Sequence, residues 1–234
     1  MAARAVQRPT LPCCGFAHTE AVEDCLRAIF KLCGRAEKAT TSALAGYLGV
    51  AAPTVSSMLK RLEAAGLITR TRGPAELTAH GERHALSVTR RHRLLEAFLV
   101  QALNVPWDEV HTEADALEHA ISQKLEDRLD AYLGHPTHDP HGDPIPSSTG
   151  DHVETWATPL AQAEPGSRFL VQRVSDADSD ALRYLTALGI RPGADIEVVE
   201  QAPFDGPLWV RVEGRRHALG PLLVRAVHGQ SDSP

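Results

Sequence analysis

From Ala21 the apolar positions Leu26, Ile29, Phe30 and Cys33 recur at three- and four-residue spacing and stop at Gly34, which predicts a first helix. Thr40 or Thr41 can cap a short helix through Leu48, and Gly49 turns the chain. Pro53, at a first-turn position where proline is tolerated, opens a helix to Ala65 that Gly66 stops. Immediately afterwards come residues 67–72, the turn pair Gly73-Pro74 and residues 75–77, the pattern of two short strands with a tight connection. Helix, turn, helix and basic hairpin in succession predict a winged helix-turn-helix. Thr78 can cap a long helix toward Asn104, and after the Pro106-Trp107 break the periodicity predicts another from about Glu113 to Leu133. Between Gly134 and Gly166 the chain turns rich in Pro, Gly, His and Asp (HPTHDPHGDPIPSSTGD, then AQAEPG), the composition of a linker. Arg168 to Val227 shows strand-like alternation in FLVQRV, ADIEVVE, LWVRVEG and LLVRAV, interrupted by a helical DALRYLTALG, which predicts a small β-barrel.

The length of 234 residues suits two compact units with a connecting segment. No apolar run approaches the roughly 18 residues of a membrane helix, and the first residues lack the apolar stretch of a secretory signal. The expectation is a cytoplasmic protein with no membrane contact. Cys13, Cys14, Cys25 and Cys33 crowd into the first 33 residues without the spacing of a zinc module, and read as reduced thiols.

Charge changes the picture more than composition does. The net −6 divides into +7 over residues 1–93 and −13 over the rest, which also holds eight of the twelve histidines. The basic part suits a polyanion and the acidic part suits divalent cations.

On the helix opened by Pro53, Val55, Met58, Leu59 and Leu62 share one face, and Thr54, Ser57, Lys60 and Arg61 take the other. The leading residues Pro53, Thr54, Ser56 and Ser57 bring short hydroxyls toward base edges or phosphates, and Lys60 and Arg61 supply the electrostatic attraction. Arg70 and Arg72 in the wing can reach the flanking backbone or minor groove. The expected partner is double-stranded operator DNA. A two-fold pair of such helices engages half-sites about 34–36 Å apart, so a homodimer is expected, with the helix from Glu113 at the interface.

The second chemistry is metal binding. His111, Asp115, Glu118 and His119 at i, i+4, i+7 and i+8 fall on one face of a helix, beside the apolar Ala114, Leu117, Ile121 and Leu125. A carboxylate and imidazole stripe bordering a core is costly unless a cation neutralises it. His92 and Glu96 form another i, i+4 pair on the preceding helix, and Asp24 lies on the first.

The stretches EDCLRAIF, APTVSSMLKRLEAAGLI, RRHRLLEAFL, EVHTEADALEHAIS, HPTHDPHGDPIP and LGIRPG resemble the diphtheria-toxin-repressor type of iron- and manganese-dependent regulators, from about Thr19 to Gly229. The combination of HRLLE with H-x-x-x-D-x-x-E-H carries the likeness. It implies a mainly α chain with small β elements: a winged helix-turn-helix over residues 1–89, a helical metal-binding and dimerisation domain over 90–150, a linker over 151–166, and a Src-homology-like barrel of the ferrous-transport A type over 167–234. It implies one metal site at Asp24, Asp115, Glu118 and His119. A second follows at His92, Glu96 and His111 with a barrel carboxylate, for which counting back from Arg191–Gly193 favours Asp178 over its neighbours Asp176 and Asp180. Asp24 and Asp115 stand where the iron type has methionine and cysteine, and Arg27 where short manganese regulators have a bridging glutamate. Two separated sites for Mn(II), with Fe(II) as the alternative, and repression of metal-uptake genes are therefore expected. A metallo-hydrolase could use the same ligands, but nothing supplies a separate acid, base or substrate pocket. A metal-transport accessory would leave the winged helix without a purpose.

Overall fold

The structure, a computed structural model, describes residues 19–70, 73–150 and 157–232; Cys13, Cys14 and Arg72 lie outside the described residues. The chain divides into two compact units, Met1–His92 with Ala116–His135 and Pro146–His152, and Arg93–Asp115 with Pro136–Ile145 and Val153–Pro234. The helical stretch expected at 90–150 is thus shared between them. Among the described residues no single helix is long and apolar enough to cross a membrane.

In the first unit, α1 (Glu20–Gly34) starts after an extended Thr19 and buries Val22, Cys25, Leu26, Ile29 and Leu32. Thr40 caps α2 (Thr41–Leu48) by accepting from the Ala43 amide at 3.1 Å, and Gly49 ends it in the left-handed conformation. Then follows α3 (Ala52–Ala64), with proline in its first turn. The wing is β1 (Ile68–Thr69) antiparallel to β2 (Glu76–Leu77). Thr78 caps α4 (Ala79–Leu103): its hydroxyl accepts from the Gly81 amide at 3.0 Å and donates to the Gly66 carbonyl at 2.8 Å, which ties the helix start to the wing root. A side chain at Gly81 would meet the Leu67 carbonyl oxygen at 1.9 Å, so this close approach requires glycine. Leu26, Ile29, Leu44, Leu59, Leu62, Leu67 and Ile68 close a single core. Each contributes about 1.5–3 kcal/mol of burial.

The helix expected from Glu113 to Leu133 is two: α5 (Val110–Glu118) and α6 (Gln123–Tyr132). Ser122 breaks it, adopting an extended backbone and capping α6 through the Leu125 amide at 3.3 Å. His119 therefore stands in a turn just beyond α5 rather than on a helix face.

The second unit is built on a six-stranded antiparallel sheet. Its strands are β3 (Thr158–Pro159), β4 (Arg168–Val174), β5 (Asp195–Gln201), β6 (Leu208–Val212), β7 (Arg215–Leu219) and β8 (Val227–Asp232), in the order β3-β8-β4-β5-β6-β7. Helix α7 (Ser179–Ala187) matches the helical reading of DALRYLTALG. The segment LLVRAV, read as a strand, is helix α8 (Pro221–Ala226), opened by Pro221 after Gly220. A short continuous apolar run does not distinguish the two. The stretch read as a linker is largely built in: Leu160 is fully buried, and Asp139, His141 and Asp143 are buried in a loop that the His141 carbonyl joins to the Val174 amide at 2.9 Å.

Candidate functional site

On α3, Pro53, Thr54, Ser57, Lys60 and Arg61 are exposed and Ser56 half-buried, while Val55, Met58, Leu59 and Leu62 pack inward. Arg70 is half-buried beside the wing. The basic, hydroxyl-bearing face expected from the sequence is therefore free to meet a duplex.

In the first unit, α1, α4 and the end of α5 converge on a polar cluster. One ligand atom from each of Asp24, Glu118 and His119 lies within 4.8 Å of the others. His119 Nε2 is 2.7 Å from Asp24 Oδ1 and 3.3 Å from Glu118 Oε1, and its Nδ1 is 2.8 Å from Glu23 Oε2. Burial works against the imidazolium, but hydrogen bonds to Asp24 and Glu23 and the charges of Glu118 and Asp24 outweigh it and lift the pKa to about 9. Nε2 faces the carboxylates of Asp24 and Glu118, while Nδ1–H donates to Glu23 and fixes the ring. Glu23 was missed from the sequence, where it reads only as a first-turn acid of α1.

Glu118 is wholly buried. Its Oε2 lies 2.6 Å from His92 Nδ1 and 3.7 Å from Arg27 Nη1, and Arg27 Nη1 is itself 2.8 Å from His92 Nδ1. Arg27 supplies a fixed positive charge beside Glu118. Cys25, next to this cluster in sequence, is a buried free thiol pushed up to about 12 by burial and then by the Asp24 charge. It is inert as a nucleophile.

In the second unit, Glu96 and His111 meet a barrel carboxylate. His111 Nδ1 is 3.1 Å from Glu96 Oε1 and 3.6 Å from Asp176 Oδ2, and its Nε2 is 3.7 Å from Asp115 Oδ2. Two further residues reach Glu96 from the loop that composition disguised as a linker. Glu96, Asp139 and His141, all buried, offer ligand atoms within 4.8 Å of one another. His141 Nε2 donates to the Trp107 carbonyl at 2.8 Å, since that oxygen can only accept. Its Nδ1 lone pair is left buried, without a hydrogen-bond partner, 3.9 Å from Glu96 Oε2. Burial, then the charges of Asp143 and Glu96, hold the Asp139 carboxyl well above its usual range despite Arg93. Carboxylates gathered around a buried imidazole lone pair fit a hard divalent cation.

The grouping differs from the expected one in two places. Asp115 lies beside His111 in the second unit. Asp176 rather than Asp178 faces His111: Asp178 is the N-cap of α7, its Oδ1 accepting from the Asp180 and Ala181 amides at 2.9 and 3.1 Å, and Asp180 pairs with Arg183. An acid heading a helix is committed to its amides, which register counting could not reveal.

Three family models cover most of the chain: the N-terminal DNA-binding domain of iron-dependent repressors over residues 18–72, the metal-binding and dimerisation domain of iron-dependent repressors over 78–147, and the FeoA domain over 158–230. The iron-dependent repressor IdeR of Mycobacterium tuberculosis is 40% identical over 196 residues, spanning 77% of this chain and 84% of the relative. The chain belongs to the diphtheria-toxin-repressor family. The diphtheria toxin repressor of Corynebacterium diphtheriae is 28% identical, covering 81% of this chain and 88% of that protein. Among solved structures, a manganese-dependent transcriptional repressor in complex with manganese is 39% identical, with a TM-score of 0.83 over 90% of this chain and 99% of that one. The manganese regulator SloR is 31% identical, with a TM-score of 0.78 over 90% and 98%. As a family member the chain is a metal-dependent DNA-binding regulator with a DNA-binding and a dimerisation domain, and it uses a divalent metal cofactor; the family is one of repressors rather than hydrolases.

The different surroundings of the two barrel acids predict different effects of removing each. Asp176→Ala is expected to weaken binding of one ion by about 10–100-fold. Asp178→Ala is expected to lose about 1 kcal/mol of stability through the cap and leave metal affinity unchanged. Calorimetric Mn(II) titration beside thermal unfolding separates them, and a metal defect in Asp178→Ala would reverse the assignment.

Proposed function

We propose that the chain is a cytoplasmic, homodimeric, Mn(II)-activated repressor of metal-uptake genes with two separated ions per subunit. Asp24, Glu118 and His119 would hold the first ion. Glu96, His111 and Asp176 would hold the second, with His141 and Asp139 beside Glu96. The observation that carries the metal choice is Asp24 on α1, 2.7 Å from His119: an oxygen donor where the iron type has sulfur. Hard oxygen suits Mn(II), and soft sulfur suits later ions. The ion would tie α1, which packs under α2 and α3, to the end of α5, and so fix the reading helix against the rest of its unit. Exposed Leu117, Leu125 and Tyr132 on α5 and α6 support self-association through the dimerisation domain. Operator half-sites would be read by Thr54 and Ser57, with Pro53 and Ser56 at the leading end and Lys60, Arg61 and Arg70 on the backbone.

An Fe(II)-activated reading has its own support in the 40% identity to a repressor described as iron-dependent. Anaerobic measurement of operator affinity against free Mn(II) and Fe(II), for the native chain and Asp24→Met, decides between them. The native chain should respond preferentially to Mn(II), and Asp24→Met should move the ratio toward Fe(II) by about tenfold. An equal response, or a ratio the substitution leaves unchanged, would assign a general iron and manganese sensor.

A further inference from the structure

We infer that His141, Asp139 and Glu96 hold a third ion, a divalent cation of the Mn(II) type, with Glu96 shared between it and the second ion. The inference rests on the reading of Glu96 as a ligand of that second ion. All three residues are buried in the second unit, and one ligand atom from each lies within 4.8 Å of the others. His141 has no exposure at all. Its Nε2–H is committed to the Trp107 carbonyl, so Nδ1 carries a lone pair, and that atom has no hydrogen-bond partner among the described residues. It faces Glu96 Oε2 at 3.9 Å, a separation longer than a hydrogen bond. Two ligand atoms held by one ion at about 2.0–2.2 Å lie about 3 Å apart at a right angle and about 4 Å apart when nearly opposite. The pair is therefore spaced for an ion between its two atoms.

The two oxygens of Glu96 look to different partners: Oε1 is 3.1 Å from His111 Nδ1 and Oε2 turns to His141. The donors are also set in advance. Trp107 stacks on the His141 ring, with centroids 5.5 Å apart and planes 21° from parallel, and is itself fixed by donating Nε1–H to Thr186 Oγ1 at 2.6 Å. Asp139 is held by the His141 and Asp143 amides, both of which donate to its Oδ1. A buried water donating to both acceptors is the rival occupant. It would add no charge, whereas Glu96 and Asp139 bring two buried negative charges to the single positive charge of Arg93, and Arg173 is paired with Asp143. Buried carboxylates are costly without a compensating cation. Two oxygens to one imidazole suit Mn(II) better than a softer ion.

The test counts ions and asks whether two of them are neighbours. The full untagged chain, His141→Gln and Asp139→Asn are dialysed to equilibrium against Mn(II), bound manganese is measured per chain, and electron paramagnetic resonance spectra are recorded. Glutamine can still donate to the Trp107 carbonyl and asparagine can still accept from the two amides, so each variant removes a ligand and keeps its local hydrogen bonds. The native chain should hold three ions and show the halved hyperfine spacing of a coupled manganese pair. Either variant should hold one ion fewer and lose the coupled signal. A native chain that holds two ions overturns the proposal, since water then bridges His141 and Glu96. Variants that keep the native count overturn it as well, and so does a third ion without coupling, which lies elsewhere. Asp176→Ala separates this result from the reading on which it rests. That substitution should release the second ion and the coupled signal while the ion at His141 stays. If Asp176→Ala keeps the native count, the second ion is wrongly assigned, whereas the ion at His141 still stands or falls by His141→Gln and Asp139→Asn.

Discussion

Glu118→Gln is expected to abolish metal activation, leaving operator affinity in Mn(II) at its metal-free level and lowering affinity for the first ion by about 100-fold or more, beyond the 10–100-fold typical of groups that merely support a ligand. Glutamine keeps the size and shape of a side chain that has no exposure at all, so the fold has little to readjust. What disappears is the charge beside His119, Arg27 and His92. A neutral amide cannot balance a divalent ion, and an Arg27 guanidinium next to it opposes the ion's entry. The same titration carries a pH test. His119 binds a proton with a pKa of about 9 in the metal-free protein, and the ion must displace it. Apparent Mn(II) affinity of the native chain should therefore fall as pH drops below 9, by about tenfold per unit with one proton released per ion. Affinities that agree at pH 7 and pH 8 would show that His119 does not exchange its proton for metal. Residual Mn(II) activation in Glu118→Gln would remove Glu118 from the ligand set.

The winged helix was legible because its signals are local: Thr40 capping α2, Gly49 in the left-handed conformation, proline in the first turn of α3, Gly66 beyond its end and Thr78 capping α4 act within a few residues of themselves. Asp24, Glu118 and His119 were candidates for a related reason, since α1, the end of α5 and the turn beyond it carry them at the spacing on which the family resemblance rests. What stayed hidden depended on partners distant in the chain. Asp139 and His141 sit among prolines and glycines that read as linker, and only the fold brings them to Glu96, some forty residues earlier. Asp176 and Asp178 are indistinguishable by type; their roles separate only when α7 begins at Ser179 and claims Asp178 as its cap. The break at Ser122 was missed because apolar periodicity runs through it, although serine before a Leu-Glu pair offers a cap that competes with a continuous helix.

Gly142→Ala is expected to destabilise the second unit by about 3 kcal/mol, the sum of two costs. The first is conformational: Gly142 has φ of +88°, a region that costs an L residue roughly 1–2 kcal/mol. The second is steric: an added Cβ would stand 1.9 Å from the Gln172 carbonyl oxygen and 2.9 Å from the Arg173 Cα, both backbone of β4 and unable to swing aside. Overpacking against fixed atoms adds about 1–3 kcal/mol. The loop cannot retreat cheaply either. Asp139 Oδ1 holds the His141 and Asp143 amides at 2.8 and 2.9 Å, and Asp143 is paired with Arg173. Thermal unfolding should show a midpoint lowered by about 6–12 °C, at the roughly 2–4 °C per kcal/mol of a chain this size. Gly193→Ala is the matched control, since Gly193 has φ of +91° with nothing within 4 Å of an added Cβ. It should show the conformational cost alone. If both substitutions lower the midpoint equally, contact with β4 is not what seats the loop. If only Gly142→Ala also weakens the second ion, then the loop carrying His141 and Asp139 is part of how that ion is held.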